Sequence, residues 1–190
     1  MRRIVATVFI SMDGVMQGPG GPHEDSTNGF KWGGWSVHHW DDIMNNAMDA
    51  ILKEPFDLLL GRKTYEIFAA HWPWQDDSIG SVYNKVRKYV VSNQGVELSW
   101  ANSTLVTGDI VAEIVRLRGG EGPALLINGS SKLVQTLLSQ RLIDELHLWT
   151  FPVTLGNGKR FFDESVKPAS WKLTYSIIST TGVIVAGYTP

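Results

Sequence analysis

The chain has 190 residues, of which 43% are hydrophobic and 19% are charged, and its formal net charge is −2. These values are typical of a single globular domain, here spanning residues 1–190, and they argue against nucleic-acid binding and against attachment to a membrane surface. The absence of cysteine excludes disulfides, thiolate nucleophiles and cysteine-ligated metal sites.

The N-terminal segment leads directly into a β-rich stretch and lacks the long apolar core and cleavage site of a signal peptide. No uninterrupted apolar run approaches the ~20 residues of a membrane span. We therefore expect a cytoplasmic protein with no membrane partner.

Apolar spacing predicts strands and helices that alternate along most of the chain. Continuous apolar runs predict strands at residues 4–10, 56–60, 88–92, 104–106 and 124–127. Helical spacing predicts helices at residues 38–53, from 62 onward, near 82–86, at 110–117 and after 130. A strand follows at 142–153, and residues 171–179 and 183–189 predict an antiparallel hairpin. This order predicts an α/β fold: a mostly parallel central sheet flanked by helices, with a C-terminal antiparallel hairpin.

Residues 13–36 form a long segment, rich in glycine and proline, that interrupts this alternation. A loop of this length within a compact domain is usually functional or disordered. Its aromatic end, which includes Trp32 and Trp35, suggests that it folds back over the molecule, and Trp72 lies in a second loop-like region. These tryptophans are candidates for walling a pocket around a flat substrate ring, and packing in the core is the competing interpretation.

Three predicted strands are followed by small or polar residues. Because these strands are predicted to be parallel, the residues after them lie at one edge of the sheet. The second strand is followed by Gly61, Arg62, Lys63 and Thr64, the third by Ser92 and Asn93, and the fifth by Asn128, Gly129, Ser130 and Ser131. A glycine joint that opens a helix is typical of a phosphate site, because the first helical amides are free and the helix dipole favours an anion. An ordinary serine N-cap at the third joint is the alternative.

These joints resemble those of the dihydrofolate reductase fold. The resemblance rests on residues 60–66 (LGRKTYE), 90–94 (VVSNQ) and 127–130 (INGS). Further runs resemble the C-terminal reductase domain of bacterial riboflavin biosynthesis, and best its stand-alone branch: 11–14 (SMDG), 129–133 (GSSKL), 142–148 (LIDELHL) and 155–162 (LGNGKRFF).

The resemblance implies a reductase that transfers hydride from NADPH to a pterin-, pyrimidine- or similar heterocyclic substrate. It also implies that the residues of the three joints hold NADPH and that the chain forms a homodimer. Asp13, at the end of the first strand, and Asp41 or Asp42, near the start of the first helix, are candidate catalytic carboxylates that bind a substrate N–H edge and guide a proton. A turn at Asp13 and helix-dipole stabilisation of the other two are the alternatives.

The five histidines include no pair at the i, i+4 spacing of a helical zinc motif, so we expect no metal. A non-catalytic protein of the same fold that binds a nucleotide or a folate-like ligand is the main alternative to an enzyme. A flavin or nitro-compound reductase is a third possibility.

Overall fold

The computed structural model describes residues 1–164 and 166–190, and within them eight strands form one sheet. The strands are β1 (Ile4–Ser11), β2 (Phe56–Gly61), β3 (Lys88–Val91), β4 (Ser103–Val106), β5 (Ala124–Asn128), β6 (Glu145–Phe151), β7 (Lys172–Ile178) and β8 (Ile184–Thr189). The α-helices are α1 (Asp42–Lys53), α2 (Arg62–His71), α3 (Ser78–Lys85), α4 (Ile110–Gly119) and α5 (Ser131–Ser139). Short 3-10 turns lie at Thr27–Gly29, Val37–His39 and Trp72–Trp74.

The strands are ordered β4-β3-β2-β5-β1-β6-β8-β7 across the sheet. Every pairing from β4 to β6 is parallel, whereas β8 pairs antiparallel with both β6 and β7. This topology confirms the predicted α/β fold with its mostly parallel sheet and C-terminal antiparallel hairpin. Because the parallel strands share one direction, β3, β2, β5 and β1 end side by side at what we call the carboxyl edge.

Helices cover both faces of the parallel part of the sheet, as its continuous apolar strands require. On one face, α4 and α5 bury Ile114 and Leu137 against the sheet. On the other face, α2 and α3 bury Tyr65 and Tyr83, and α1 buries Met44 against the strands nearer the hairpin. The face that carries α1, α2 and α3 is therefore the aromatic one.

The first helix begins later than the apolar spacing predicts. Residues 37–39 form a 3-10 turn, and α1 starts only at Asp42. The cause is the Asp41 side chain, which accepts a hydrogen bond from the Met44 amide at 2.9 Å and so caps the helix.

The strand predicted from residue 142 also begins later, at Glu145. The Asp144 carboxylate accepts a hydrogen bond from the Ile4 amide at 2.8 Å and pairs with Arg118. These contacts hold the approach to β6 in a turn, so the chain enters the sheet only after Asp144.

Residues 13–36 fold back onto the sheet rather than projecting from it. Val15 forms an isolated β-bridge with Arg160, and the Gln17 side chain accepts a hydrogen bond from the Lys159 amide at 3.0 Å. Phe30, near the aromatic end of the segment, is buried in the core beneath α1. The long segment therefore forms part of the core on the α1 face.

A buried ion pair between Arg2 and Asp57 fastens the start of β1 to β2; the two residues are 4% and 9% exposed. We expect Asp57→Ala to lower the free energy of unfolding by about 3–5 kcal/mol, because it leaves a buried guanidinium without its counter-charge. The double variant Arg2→Met, Asp57→Leu should recover most of that loss, since no charge then remains buried. Urea unfolding followed by tryptophan fluorescence measures both, and a double variant no more stable than the single one would contradict this account.

Candidate functional site

Among the described residues, two α-helices begin at the carboxyl edge without a side-chain cap. α2 starts after Gly61 and α5 after Ser130, and neither of these residues makes a side-chain capping hydrogen bond. By contrast, α1, α3 and α4 are each capped by an aspartate that accepts from an amide of the first turn. The first amides of α2 and α5 therefore stay available to an anion, and both helix dipoles favour negative charge there.

The starts of α2 and α5 are fastened to each other by two hydrogen bonds. The Gly61 amide donates to the Ser130 hydroxyl at 3.0 Å, and the Ser130 amide donates to the Thr64 hydroxyl at 3.1 Å. The chain reaches this geometry through positive φ at Gly129 (69°) and Ser130 (55°), a conformation that glycine adopts readily and serine rarely. Ser130 thus uses its hydroxyl to join two strand ends and does not cap α5 with it.

Two cations stand in the first turn of α2. Arg62 pairs with Glu66 one turn later, at 2.9 Å, and its side chain is 32% exposed. Lys63 is exposed. Because a surface pair of this kind contributes at most about 1 kcal/mol, the Arg62 guanidinium can exchange Glu66 for a phosphate at little cost.

The polar side chains after β3 are engaged within the carboxyl edge itself. The Ser92 hydroxyl donates to the Gln94 carbonyl at 2.7 Å and accepts from the Gln94 amide at 3.0 Å. The Asn93 side chain donates to the Gly108 carbonyl at 2.9 Å and accepts from the Gly108 amide at 2.7 Å and from the Thr107 hydroxyl at 3.0 Å. Asn93 therefore holds the ends of β3 and β4 together, and Ser92 shapes the turn between them.

Beside the third joint, two buried side-chain oxygens have no hydrogen-bond partner among the described residues. They are Thr7 Oγ1 and Asn128 Oδ1. Thr7 and Asn128 are partners in the β1–β5 register, so both side chains point to the same face of the sheet. A buried polar atom left unpaired costs about 1–3 kcal/mol, so these two oxygens call for a partner that a ligand or an ordered water can supply.

Tyr83 contacts Asn128, and Trp72 in turn packs against Tyr83. The Asn128 amide nitrogen donates to the Tyr83 hydroxyl, and burial raises the pKa of that phenol, which stays neutral at pH 7. Trp72 packs edge-on against Tyr83 with ring centroids 5.1 Å apart. The Trp72 indole N–H is buried and has no acceptor in the described part of the chain, so a bound molecule with an acceptor atom would satisfy it.

Asp13 ties the end of β1 to a distant turn. One carboxylate oxygen accepts from the Ser11 hydroxyl at 2.6 Å and from the Leu155 amide at 3.1 Å, and the other accepts from the Gly156 amide at 2.8 Å. The Ser11 hydroxyl, supported by these amides, lowers the pKa of Asp13 to about 2. The carboxylate is therefore ionised at neutral pH and accepts hydrogen bonds there.

Asp41 makes a similar link near the C-terminal hairpin. Besides capping α1, its carboxylate accepts from both the amide and the hydroxyl of Thr180, each at 2.7 Å. The Met44 amide, followed by the Thr180 groups, holds the pKa of Asp41 below its usual range. Asp42 is exposed in the first turn of α1.

The three candidate tryptophans have different surroundings. Trp35 is 8% exposed, donates to the Gln17 carbonyl at 2.8 Å and packs edge-on against Phe151, as the core interpretation expects. Trp32 is 56% exposed, and its role toward a substrate stays a prediction. Of the three, Trp72 is the one whose ring contacts Tyr83 beside Asn128.

The sequence reasoning misses two residues of this site, Thr7 and Tyr83. Thr7 does carry a signal, because it interrupts the apolar run of β1 with a hydroxyl at a fully buried position. Tyr83 carries none, because its place in the apolar pattern of α3 already accounts for it.

The sequence matches the family model of the RibD C-terminal domain over residues 2–185. The uncharacterized protein YyaP of Bacillus subtilis (strain 168) is 24% identical to this chain over 192 residues, and the match covers 98% of this chain and 94% of YyaP.

Two solved structures share the fold. A putative riboflavin biosynthesis protein from Shewanella sp. PV-4 superposes with a TM-score of 0.73 at 22% identity and covers 98% of both chains. Dihydrofolate reductase from Enterococcus faecalis, complexed with NADP(H) and RAB-propyl, superposes with a TM-score of 0.61 at 15% identity, covering 98% of this chain and 95% of that one. The predicted dihydrofolate reductase-like fold is thereby confirmed.

Residues 1–164 and 166–190 contain no group of three or more histidines and carboxylates arranged to hold a metal ion. In the same part of the chain, no helix combines the length and the apolar character needed to cross a membrane.

The Ser130 hydroxyl should protect the Gly61 amide from solvent exchange. We expect Ser130→Ala to speed hydrogen exchange of that amide by about fivefold, because a lost hydrogen bond is worth about 1 kcal/mol. Ser131→Ala is the matched control, since the structure gives the neighbouring serine no such role. Amide exchange measured by NMR distinguishes the two variants. Equal exchange rates of the Gly61 amide in both would contradict its hydrogen bond to Ser130.

Proposed function

The chain belongs to the RibD C-terminal domain family, and on this premise we propose that it is an NADPH-dependent reductase acting on a pterin-, pyrimidine- or similar heterocyclic substrate. When bound, NADPH supplies the hydride. The observation that carries the proposal is the pair of uncapped helix starts, α2 and α5, joined through Ser130. Two such starts suit a ligand with phosphates at separate points, as a dinucleotide phosphate has.

In this proposal the pyrophosphate lies at the start of α5. Gly129 brings the backbone close, and the amides from Ser131 onward donate to the phosphate oxygens. Asn128 and Ser130 fix the geometry of the turn, the first through Tyr83 and the second through the α2 start. The E. faecalis enzyme, which shares the fold, is complexed with NADP(H), and this supports a nicotinamide cofactor on the present fold.

The adenosine end of the cofactor then lies along the start of α2. The Arg62 and Lys63 side chains supply positive charge to its phosphate, and the uncapped amides after Gly61 add donors. Thr64 orients the neighbouring joint through the Ser130 amide. Ser92 and Asn93 complete this end of the edge by shaping the turn after β3.

We place the substrate ring against Thr7 and Asn128. The Asn128 Oδ1 atom accepts a hydrogen bond from a ring N–H, the Thr7 hydroxyl donates or accepts, and the Trp72 indole N–H donates to a ring carbonyl or nitrogen. A heterocycle with donors and acceptors along one edge satisfies all three groups, whereas a hydrocarbon leaves them buried and unpaired.

Asp13, Asp41 and Asp42 stay the predicted catalytic carboxylates, and their contacts limit what they can do. The hydrogen bonds that lower the pKa values of Asp13 and Asp41 keep both ionised at neutral pH. They can orient a substrate N–H or a water molecule by accepting its hydrogen, and the proton that accompanies reduction then comes from solvent.

Arg62→Ala should weaken NADPH binding by about 10- to 100-fold, because a charge-assisted bond to phosphate is worth about 1.5–3 kcal/mol. NADH lacks the extra phosphate and should lose less than NADPH. Arg116→Ala is the matched control, since Arg116 also pairs with a glutamate on an exposed helix, at 2.7 Å. Titrations of cofactor fluorescence measure the affinities of the unsubstituted protein and of both variants for NADPH and NADH. Equal losses for the two cofactors would remove the phosphate assignment, and no NADPH binding by the unsubstituted protein would remove the proposal.

A non-catalytic binder of a nucleotide or a folate-like ligand is the second candidate. The observation that favours it is the full engagement of Asp13 and Asp41 with backbone amides and hydroxyls, which leaves neither carboxyl as a proton donor. Such a protein would use the same cofactor joints and the same ring position without turnover.

Thr7→Val tests the ring position, because valine keeps the shape of threonine and removes the hydroxyl. With a heterocycle that is turned over, we expect kcat/KM to fall about tenfold, the effect of one lost hydrogen bond of about 1.4 kcal/mol, while NADPH affinity stays unchanged. Thr174→Val on the exposed strand β7 is the control. Oxidation of NADPH in the presence of a panel of pterins and pyrimidines provides the assay. Tight NADPH binding with no turnover of any panel member would favour the non-catalytic candidate.

We extend the proposal to a homodimer formed through the C-terminal hairpin. β7 is an outer strand of the sheet with all seven residues exposed, and Leu173 and Ile178 are 52% and 67% exposed. An apolar edge strand of this kind is usually covered by another strand or chain. The molar mass in solution, measured by light scattering, decides between one chain and two.

A further inference from the structure

A cavity of about 520 Å³ lies on the α1 face of the sheet, toward the end opposite the carboxyl edge. This volume is within the range of small-molecule sites. α1 forms one wall, and the starts of β5 and β6 together with the outer strand β7 form the others. Of the described residues that line it, none belongs to the three cofactor joints, and Thr7 and Asn128 are not among them. The cavity therefore lies outside the residues that we assign to the proposed reductase site.

Most of the cavity lining is apolar. Val5 and Leu126 contribute from the sheet floor, Ile43 and Ala50 from α1, and Phe56 from the start of β2. The small and exposed Ala50 leaves the wall of α1 open at this point. A ligand with an apolar body gains about 25 cal/mol for each Å² of apolar surface that it buries there.

One end of the cavity carries four polar side chains in succession, each within 3.1 Å of the next. The Tyr175 hydroxyl lies 2.7 Å from His147 Nδ1, and His147 Nε2 lies 3.1 Å from a Glu145 oxygen. The other Glu145 oxygen accepts from Arg3 at 3.1 Å. An unprotonated Nε2 would set its lone pair against the Glu145 oxygen 3.1 Å away, so the proton of His147 is favoured on Nε2, and Nδ1 then accepts from Tyr175.

The charges in this chain of side chains are already compensated. Burial lowers the pKa of His147 despite the neighbouring Glu145, and burial raises the pKa of Tyr175 to about 12, so both are neutral near pH 7. Arg3 balances Glu145. The carboxylate of Glu54, exposed at the rim, is the remaining charge of the described lining. An anion would therefore be repelled, and a neutral molecule is favoured.

The same contacts leave the Tyr175 hydroxyl oxygen able to accept a hydrogen bond from a ligand. Tyr175 gives its proton to His147, so the phenol oxygen can only accept a further hydrogen bond. A ligand can reach this oxygen from solvent, because Tyr175 lies on β7 and is 36% exposed. A donor group on the ligand therefore fits at this end while its apolar body fills the rest.

We propose that this cavity binds an uncharged small molecule with a largely apolar body and one N–H or O–H group that donates to the Tyr175 hydroxyl. The site is independent of the cofactor edge, so its occupancy does not require the proposed reductase activity.

N-phenyl-1-naphthylamine is a suitable probe, because it is neutral, largely aromatic and carries one N–H donor. We expect its fluorescence to rise saturably with the full-length protein, at one site per chain, and to be unchanged by saturating NADPH. The sulfonated analogue 8-anilino-1-naphthalenesulfonate has the same skeleton with a negative charge and should bind at least about tenfold more weakly, a difference of about 1.4 kcal/mol.

Two pairs of variants locate the probe. Ala50→Trp fills the cavity from α1 and should weaken probe binding at least about tenfold, whereas Ala112→Trp, at an exposed alanine of α4, should leave it unchanged. Tyr175→Phe should weaken it about fivefold through the lost hydrogen bond, whereas Ser176→Ala, at the next position of β7, should not. Thermal unfolding of each variant verifies that it is folded.

The result that supports the proposal is saturable binding that depends on Ala50 and Tyr175 and discriminates against the sulfonate. Three results would overturn it: no saturable binding of the neutral probe, equal losses in Ala50→Trp and Ala112→Trp, or equal affinity for the neutral and charged probes.

Discussion

The hydroxyl of Ser130 is the contact on which the functional edge depends. It accepts the Gly61 amide while the Ser130 amide donates to Thr64, so the starts of α2 and α5 are held at a fixed separation. The left-handed conformation of Ser130 costs about 1–2 kcal/mol, and these two hydrogen bonds offset it. A serine that instead capped its own helix would satisfy the amides that an anion needs. The same residue thus links the two joints and leaves α5 open.

Because the N-termini of α1, α3 and α4 are capped, anions are directed to the starts of α2 and α5. Asp41, Asp77 and Asp109 close the N-termini of α1, α3 and α4, each with a carboxylate that also repels other anions. The helices after β2 and β5 are left open, and Arg62 and Lys63 add positive charge beside one of them. A protein with a net charge of −2 can therefore attract phosphates locally without attracting nucleic acid broadly.

The sequence was sufficient for the fold because its strongest signals are local. Continuous apolar strands, a glycine after β2 and β5, and helical spacing between them predict a parallel sheet whose strand ends share an edge. The roles of individual site residues depend on contacts across the chain, which local patterns do not contain. Ser130 looks like an N-cap by its position, and its partner Gly61 lies 69 residues earlier. Trp35 looks like a ligand platform by its loop, and only its burial shows that it packs in the core.

The roles of Asp13 and Asp41 likewise depend on contacts between distant parts of the chain. Asp13 holds Leu155 and Gly156, 142 and 143 residues away, and Asp41 holds Thr180, 139 residues away. Both carboxylates therefore fasten late segments of the chain to the region where β1 ends and α1 begins. The hydrogen bonds that hold these segments also lower the two pKa values, because each donor stabilises the ionised carboxylate. A carboxylate held in this way can still orient a substrate, but its rigidity, and not its basicity, is what it brings to the site.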